Sequence, residues 1–214
     1  MARLDPRALG VYVVTSSGLV PGREHRDVAV AAIAGGATAV QLRAKELADD
    51  ELAPLAEELA ARCRAAGVLF VLNDRVDVAV RSGAGAVHVG QSDDLERVRE
   101  RIGPDLVLGI SVEDAEEAAR AEAADADYVG VTVWATPTKP DARPRGLEGV
   151  RRVAGATSLP VVGIGGVGPA NAAEVLAAGA AGVAFVSAVG AAEDPVSATR
   201  LLAEIVSRWR AGER

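Results

Sequence analysis

Lysine is scarce in this chain. The 23 basic residues comprise 21 arginines and two lysines, Lys45 in QLRAK and Lys139 in ATPTK, and each lysine follows an apolar run. A lysine is a compact point charge suited to a phosphate, whereas arginine carries the general surface charge here and can grip an anion with a planar fork. Arg43, Lys45 and Lys139 are therefore candidate grips for a diphosphate, with the Asn73 amide as a further donor. Asp74 in LNDR and Asp93 in GQSD, 19 positions apart, could share one divalent cation. Carboxylate oxygens, waters and substrate phosphates suit magnesium better than zinc where no histidine or cysteine cluster is present. Asp94 is an alternative ligand, and caps or turn salt bridges are the alternative roles. Gly165 and Gly166 in VVGIGGVGP could present backbone amides to a second, mono-phosphate group. That segment lacks the spacing of a P-loop or a dinucleotide fingerprint.

These groups lie far apart along the chain, so the scaffold must bring them together. Eight short apolar runs begin near Val11, Ala37, Val68, Ala86, Leu106, Tyr128, Pro160 and Gly182. They are nearly continuous in apolar side chains, as strands buried on both faces are. Helix-compatible segments separate them; in ELAPLAEELAARCRAAG, Leu52, Leu55 and Leu59 form a stripe and Gly67 supplies a stop. Asn171 is a candidate cap or early-helix residue. Eight such units predict an α/β chain folded as a single-domain (β/α)8 TIM barrel over residues 1–214, since closure removes exposed strand edges. An open doubly wound sheet is the rival architecture. Seven of the eight runs are followed by polar or glycine residues of the kind described, which a barrel would gather at one mouth. The stretch 135–146, with Pro137, Pro140 and Pro144, reads as a functional loop.

Composition narrows the function classes. With 214 residues, 50% hydrophobic and only 3% aromatic, the chain can bury one aliphatic core. A net charge of −7 without a basic tail argues against nucleic acid, so any positive site must be local. No apolar segment reaches membrane-spanning length and the N-terminus lacks a signal peptide's core, which points to the cytoplasm. Cys63 stands alone on an apolar helical face and reads as a small buried residue. His25 and His88 are too few and too separated for a histidine metal site, and His88 reads as packed or hydrogen-bonded.

The ordered motifs QLRAK, NDRVDVA, GAVHVGQSD, GIS, ATPTK, VVGIGG and VAFVSAV, spanning most of the chain from Val11 to Val189, resemble the thiamine-phosphate synthase family. The resemblance implies a magnesium-dependent barrel enzyme that joins hydroxymethylpyrimidine pyrophosphate to thiazole phosphate, producing thiamine phosphate and pyrophosphate. It implies that Gln41 contacts the pyrimidine, that Arg43, Lys45, Asn73 and Lys139 hold its pyrophosphate, and that Asp74 and Asp93 serve Mg2+. Ser111 would lie beside the pyrimidine and leaving group. Thr136, Thr138, Gly166, Val186 and Ser187 would place the thiazole phosphate. Two departures stand out. Thr132-Val133-Trp134 replaces the family's Gly-Pro-aliphatic-aromatic run, and Ser16 follows Thr15 where the family has Asp. The rival readings are a thiazole phosphate tautomerase, which would need a proton-transfer residue, a sugar-phosphate isomerase or lyase, and a phosphate-metabolite-binding regulatory barrel. The Ala-rich outer helices could cover the barrel or form a homodimer face.

Overall fold

The computed structural model describes residues 4–138 and 142–212. Eight parallel strands close into a barrel in sequential order: β1 (Val11–Val14), β2 (Ala39–Leu42), β3 (Leu69–Asn73), β4 (Ala86–Val89), β5 (Val107–Val112), β6 (Tyr128–Thr132), β7 (Val161–Ile164) and β8 (Gly182–Phe185). The helices between and after them are α1 (His25–Ala34), α2 (Asp49–Ala66), α3 (Val76–Ser82), α4 (Leu95–Ile102), α5 (Ala115–Ala123), α6 (Gly146–Ala154), α7 (Ala172–Ala177), α8 (Ser187–Gly190) and α9 (Pro195–Arg210). The barrel expected from the sequence is the one observed, and β1 pairing with β8 rules out the open sheet. No helix among the described residues is long and apolar enough to cross a membrane.

Side chains alternate across a strand, so each strand feeds two cores. One, between barrel and helices, takes the outward residues such as Val13, Val40, Leu72, Ile110, Val131 and Phe185. The other, inside the barrel, is made by Tyr12, Val14, Ala39, Val71, Ala86, Val107, Tyr128, Val162 and Ala184, with Leu4 and Leu9. Small residues sit beside large ones in this inner layer. Tyr12 is flanked in register by Ala39 and Ala184, and Gly109 lies between His88 and Tyr128.

Two features were not expected. A 3-10 turn, Pro6–Leu9, is capped by the Asp5 carboxylate, which accepts the Arg7 N–H, and it sends Leu9 into the N-terminal end of the barrel. The short helix α8 begins at Ser187, so Ser187 opens a helix instead of ending β8. The stop expected at Gly67 is present, with φ of 68° in the left-handed region. Cys63 is buried as expected, and burial pushes its thiol pKa up to about 12, which leaves it unreactive at neutral pH.

The Leu9 turn packs so closely on β8 that a Cβ at Gly182 would meet the Leu9 carbonyl oxygen at 1.8 Å. Backbone cannot yield as a flexible side chain does, so Gly182→Ala should cost about 3 kcal/mol, the upper end of the usual overpacking range. Urea unfolding of the variant should show a lowered midpoint with an unchanged slope.

Candidate active site

A cavity of about 310 Å³ opens at the C-terminal ends of the strands. Of the residues singled out by sequence, Gln41, Arg43, Asn73, Gln91, Ser111, Thr136, Thr138, Gly165 and Val186 line it. Lys45, Asp74, Asp93, Gly166 and Ser187 stand at strand exits but are not in its wall. Lys139 lies outside the described residues.

The floor is polar, and sequence reasoning passed over most of it. The chain's two tyrosines meet here, Tyr12 Oη to Tyr128 Oη at 2.9 Å. Gln41 Nε2 donates to Tyr12 Oη at 2.6 Å. On the other side His88 Nδ1 lies 3.0 Å from Tyr128 Oη, and His88 Nε2 lies 3.0 Å from Ser111 Oγ. His88 is thus hydrogen-bonded, as expected. Burial raises both phenol pKa values well above the ordinary range, so each tyrosine keeps its proton. The one signal in the sequence was the inward register: Tyr12, Gln41, His88, Ser111 and Tyr128 all fall on the barrel-facing phase of their strands.

A second polar chain fixes the start of the QLRAK segment. Thr15 Oγ1 accepts the backbone N–H of Arg43 at 3.2 Å and lies 2.8 Å from His25 Nδ1. His25 Nε2 is 2.7 Å from Glu46 Oε1. Thr15 and His25 are buried, so the chain ties β1, α1 and the β2 exit together beneath Arg43. Burial acts to raise the Glu46 pKa, but hydrogen bonds, chiefly from His25, outweigh it and hold the carboxyl below its ordinary value. Among the described residues the Arg43 guanidinium has no ion-pair partner, which leaves its charge available to the cavity it lines.

At the β2 and β3 exits, Lys45 Nζ lies 3.6 Å from Asp74 Oδ2, both side chains exposed. Asp74 has φ of 63°, a left-handed conformation uncommon outside glycine, and its N–H donates to the His88 carbonyl at 2.9 Å. Asp93 Oδ2 accepts the Gly90 N–H at 2.8 Å, and no hydrogen bond from a described residue reaches its Oδ1. No group of three or more acidic, histidine or cysteine side chains gathers for a metal among the described residues. Two exposed carboxylates on neighbouring strand exits are donors of the type used by an ion that keeps several waters and binds through substrate phosphates.

The loop after β6 is held at its far end by Glu113, which pairs with Arg145 and lies 3.8 Å from Arg143. Gln91 Nε2 donates to the other Glu113 oxygen at 3.1 Å. Gln91, which follows the fourth apolar run, lines the cavity together with Glu113 and Arg143, two residues that the sequence patterns did not single out. At its near end Thr136 and Thr138 hydroxyls are 2.9 Å apart. Gly165 and Gly166 both have positive φ, and a Cβ on Gly165 would meet the Trp134 carbonyl oxygen at 2.7 Å. The altered Thr132-Val133-Trp134 run therefore packs directly on the glycine turn. Asn171 occupies the cap position of α7 without capping it; its side chain accepts from Gly168 N–H and donates to the Gly166 carbonyl.

Comparison with known proteins gives a coherent result. The family described as thiamine monophosphate synthase matches residues 11–189. A thiamine-phosphate synthase of Moorella thermoacetica is 46% identical over 203 residues, covering 94% of this chain and 97% of that protein. One from Chloroflexus aurantiacus is 48% identical over 199 residues, covering 92% of each. Among solved structures, a thiamine phosphate pyrophosphorylase from Pyrococcus furiosus superposes with a TM-score of 0.87 at 40% identity, covering 95% of this chain and 98% of that one. A 3-hexulose-6-phosphate synthase, 18% identical with a TM-score of 0.69, shares the fold alone.

Because the folded pKa of Glu46 is depressed, its stabilising contribution is complete above the ordinary 4.5 and fades as pH falls through the lower folded value. Urea unfolding of the wild type and Glu46→Gln across the acid range should show a wild-type advantage at neutral pH that disappears at the acid end. An advantage independent of pH would mean that the His25 contact does not depress this carboxyl.

Proposed function

The chain belongs to the thiamine monophosphate synthase family and joins hydroxymethylpyrimidine pyrophosphate to thiazole phosphate, yielding thiamine phosphate and pyrophosphate; we propose that the residues at its barrel mouth divide this task as follows. Gln41 and Ser111 contact the pyrimidine. Arg43, Lys45, Asn73 and Lys139 hold the diphosphate, and Ser111 lies beside the leaving group. Thr136, Thr138, Gly166, Val186 and Ser187 place the thiazole phosphate, the glycine and valine through backbone groups. Asp74 and Asp93 would hold Mg2+, which when bound neutralises charge on the diphosphate. The observation that carries this reading is that Gln41, Arg43, Asn73 and Ser111, from the ends of the three strands β2, β3 and β5, face one cavity.

As the bond from the pyrimidine methylene to the diphosphate lengthens, negative charge moves onto the leaving group and cationic character onto the carbon. Arg43, Lys45 and Lys139 stabilise the departing charge more than the bound substrate, and only such differential binding accelerates the step. The thiazole ring nitrogen then attacks the methylene carbon, forming the new C–N bond as the C–O bond breaks. That nitrogen carries no proton, so the cavity needs no general base. A tautomerase would need a proton-transfer residue; both ring nitrogens of His88 are within hydrogen-bond distance of Tyr128 and Ser111. The chain, 1–214, acts in this reading as one cytoplasmic domain on two small substrates, without nucleic acid or membrane, and its outer helices are available to a homodimer.

Purified protein given both substrates with magnesium should release thiamine phosphate and pyrophosphate in equal amounts, followed by phosphorus NMR, and should stop when magnesium is chelated. Turnover of either heterocycle alone would require another reaction. Arg43→Ala and Lys139→Ala should each lower the single-turnover rate by roughly 10²-fold, about 3 kcal/mol of lost transition-state stabilisation, with unchanged thermal unfolding. A folded variant with the wild-type rate would remove that residue from the chemical step.

A further inference from the structure

Resting on the reading of the cavity as a pyrimidine site, we propose that Tyr12, Tyr128 and His88 are positioning residues that form a one-directional hydrogen-bond relay, giving Gln41 and Ser111 opposite polarity and so selecting a 4-aminopyrimidine over its 4-oxo counterpart.

The number of protons available fixes the direction of these bonds. Four contacts connect five side chains: Gln41 to Tyr12, Tyr12 to Tyr128, Tyr128 to His88, and His88 to Ser111, all between 2.6 and 3.0 Å. The Gln41 amide nitrogen can only donate. Tyr12 accepts that bond, so its single proton goes to Tyr128. Tyr128 then passes its own proton toward His88 Nδ1. With Nδ1 accepting, the neutral imidazole carries its hydrogen on Nε2 and donates to Ser111 Oγ. The Ser111 proton is left to point elsewhere. Any arrangement in which Nδ1 carries the hydrogen while Gln41 still donates leaves the proton of one of the two phenols without an acceptor in a buried site, which is costly. Burial keeps both phenols protonated, so neither can drop out of the sequence.

The ends of the relay face the cavity. At one end an N–H of the Gln41 amide is held by Tyr12, and among the described residues no hydrogen bond reaches its carbonyl oxygen, so Gln41 offers an acceptor. At the other end Ser111, already accepting from His88, offers a donor. A 4-aminopyrimidine carries a donor amine beside an acceptor ring nitrogen and complements both. A 4-oxopyrimidine carries an acceptor carbonyl beside a ring N–H and opposes both. A site built to hydrogen-bond one pattern rejects the reversed one strongly, because its own polar groups are left unpaired. The relay holds the Gln41 end most firmly, since turning its amide over to meet the oxo group would remove the donor from Tyr12.

The backbone makes room for this arrangement. His88, Gly109 and Tyr128 are in register on β4, β5 and β6. A Cβ on Gly109 would lie 2.1 to 2.4 Å from Tyr128 ring atoms, so only glycine there lets the two rings meet, with centroids 5.5 Å apart.

The direction can be read without substrate. Long-range nitrogen–proton NMR of the wild type, with His88→Gln to separate its signals from those of His25, should show His88 protonated at Nε2 and bare at Nδ1. A ring protonated at Nδ1 overturns the proposal. Tyr12→Phe and Tyr128→Phe change little in shape; each should reduce the ratio of kcat/KM for the amino over the oxo pyrimidine diphosphate by at least about tenfold. If both variants are folded and keep the wild-type ratio, the relay does not set selectivity. A protein that turns over neither pyrimidine defeats the coupling reading instead, and leaves the tautomer measurement to judge the relay by itself.

Discussion

Everything in this molecule depends on the two-residue period of a β-strand carried around a closed ring. Each strand turns one set of side chains toward the helices and the other into the barrel, and closure forces eight inward sets to share one small volume. The outward set is uniformly aliphatic because it meets helices. The inward set cannot be uniformly large, since eight bulky residues in one layer would not fit. Alanine and glycine therefore stand next to tyrosine and histidine. The packing that solves a volume problem also produces a polar floor, as the large residues that fit carry hydroxyl and imidazole groups that must find one another in a buried layer.

Electrostatics is handled locally. The net charge of −7 repels anions at a distance, yet both proposed substrates are phosphorylated. The cavity meets this with Arg43, whose guanidinium has no ion-pair partner among the described residues, while Glu46 and Glu113 are occupied by His25 and by Arg143 and Arg145 respectively. Acidic residues around the mouth thus spend their charge on anchoring backbone and loop. Thr15 belongs to the same logic, since its hydroxyl positions the Arg43 main chain from a completely buried place.

Much of this was legible in the chain. The strand-like runs near Ala37, Val68, Leu106 and Pro160 begin within two residues of the observed strands, because β-branched, doubly buried runs leave few alternatives. Gly67, Cys63 and the grouping of Arg43, Asn73 and Ser111 were equally readable from type and position, and Gln41 joined them through the family resemblance. The relay was not, because Tyr12 and Tyr128 are 116 residues apart and meet only through the stagger of a closed barrel. Nor was the grip of Glu113 on Arg145, which depends on where an irregular loop returns to the wall. GVAFVS reads as one strand-like run ending at Ser187, whereas the backbone turns there into a single helical turn.

The left-handed backbone of Asp74 has a consequence for how such a protein could be improved. A residue with a Cβ is held there at a conformational disadvantage that glycine would not suffer, and asparagine would suffer less. Screens that reward heat resistance alone would drift toward glycine at this position and lose a carboxylate in doing so. With Asp74 in its proposed role, robustness and turnover select for different amino acids there.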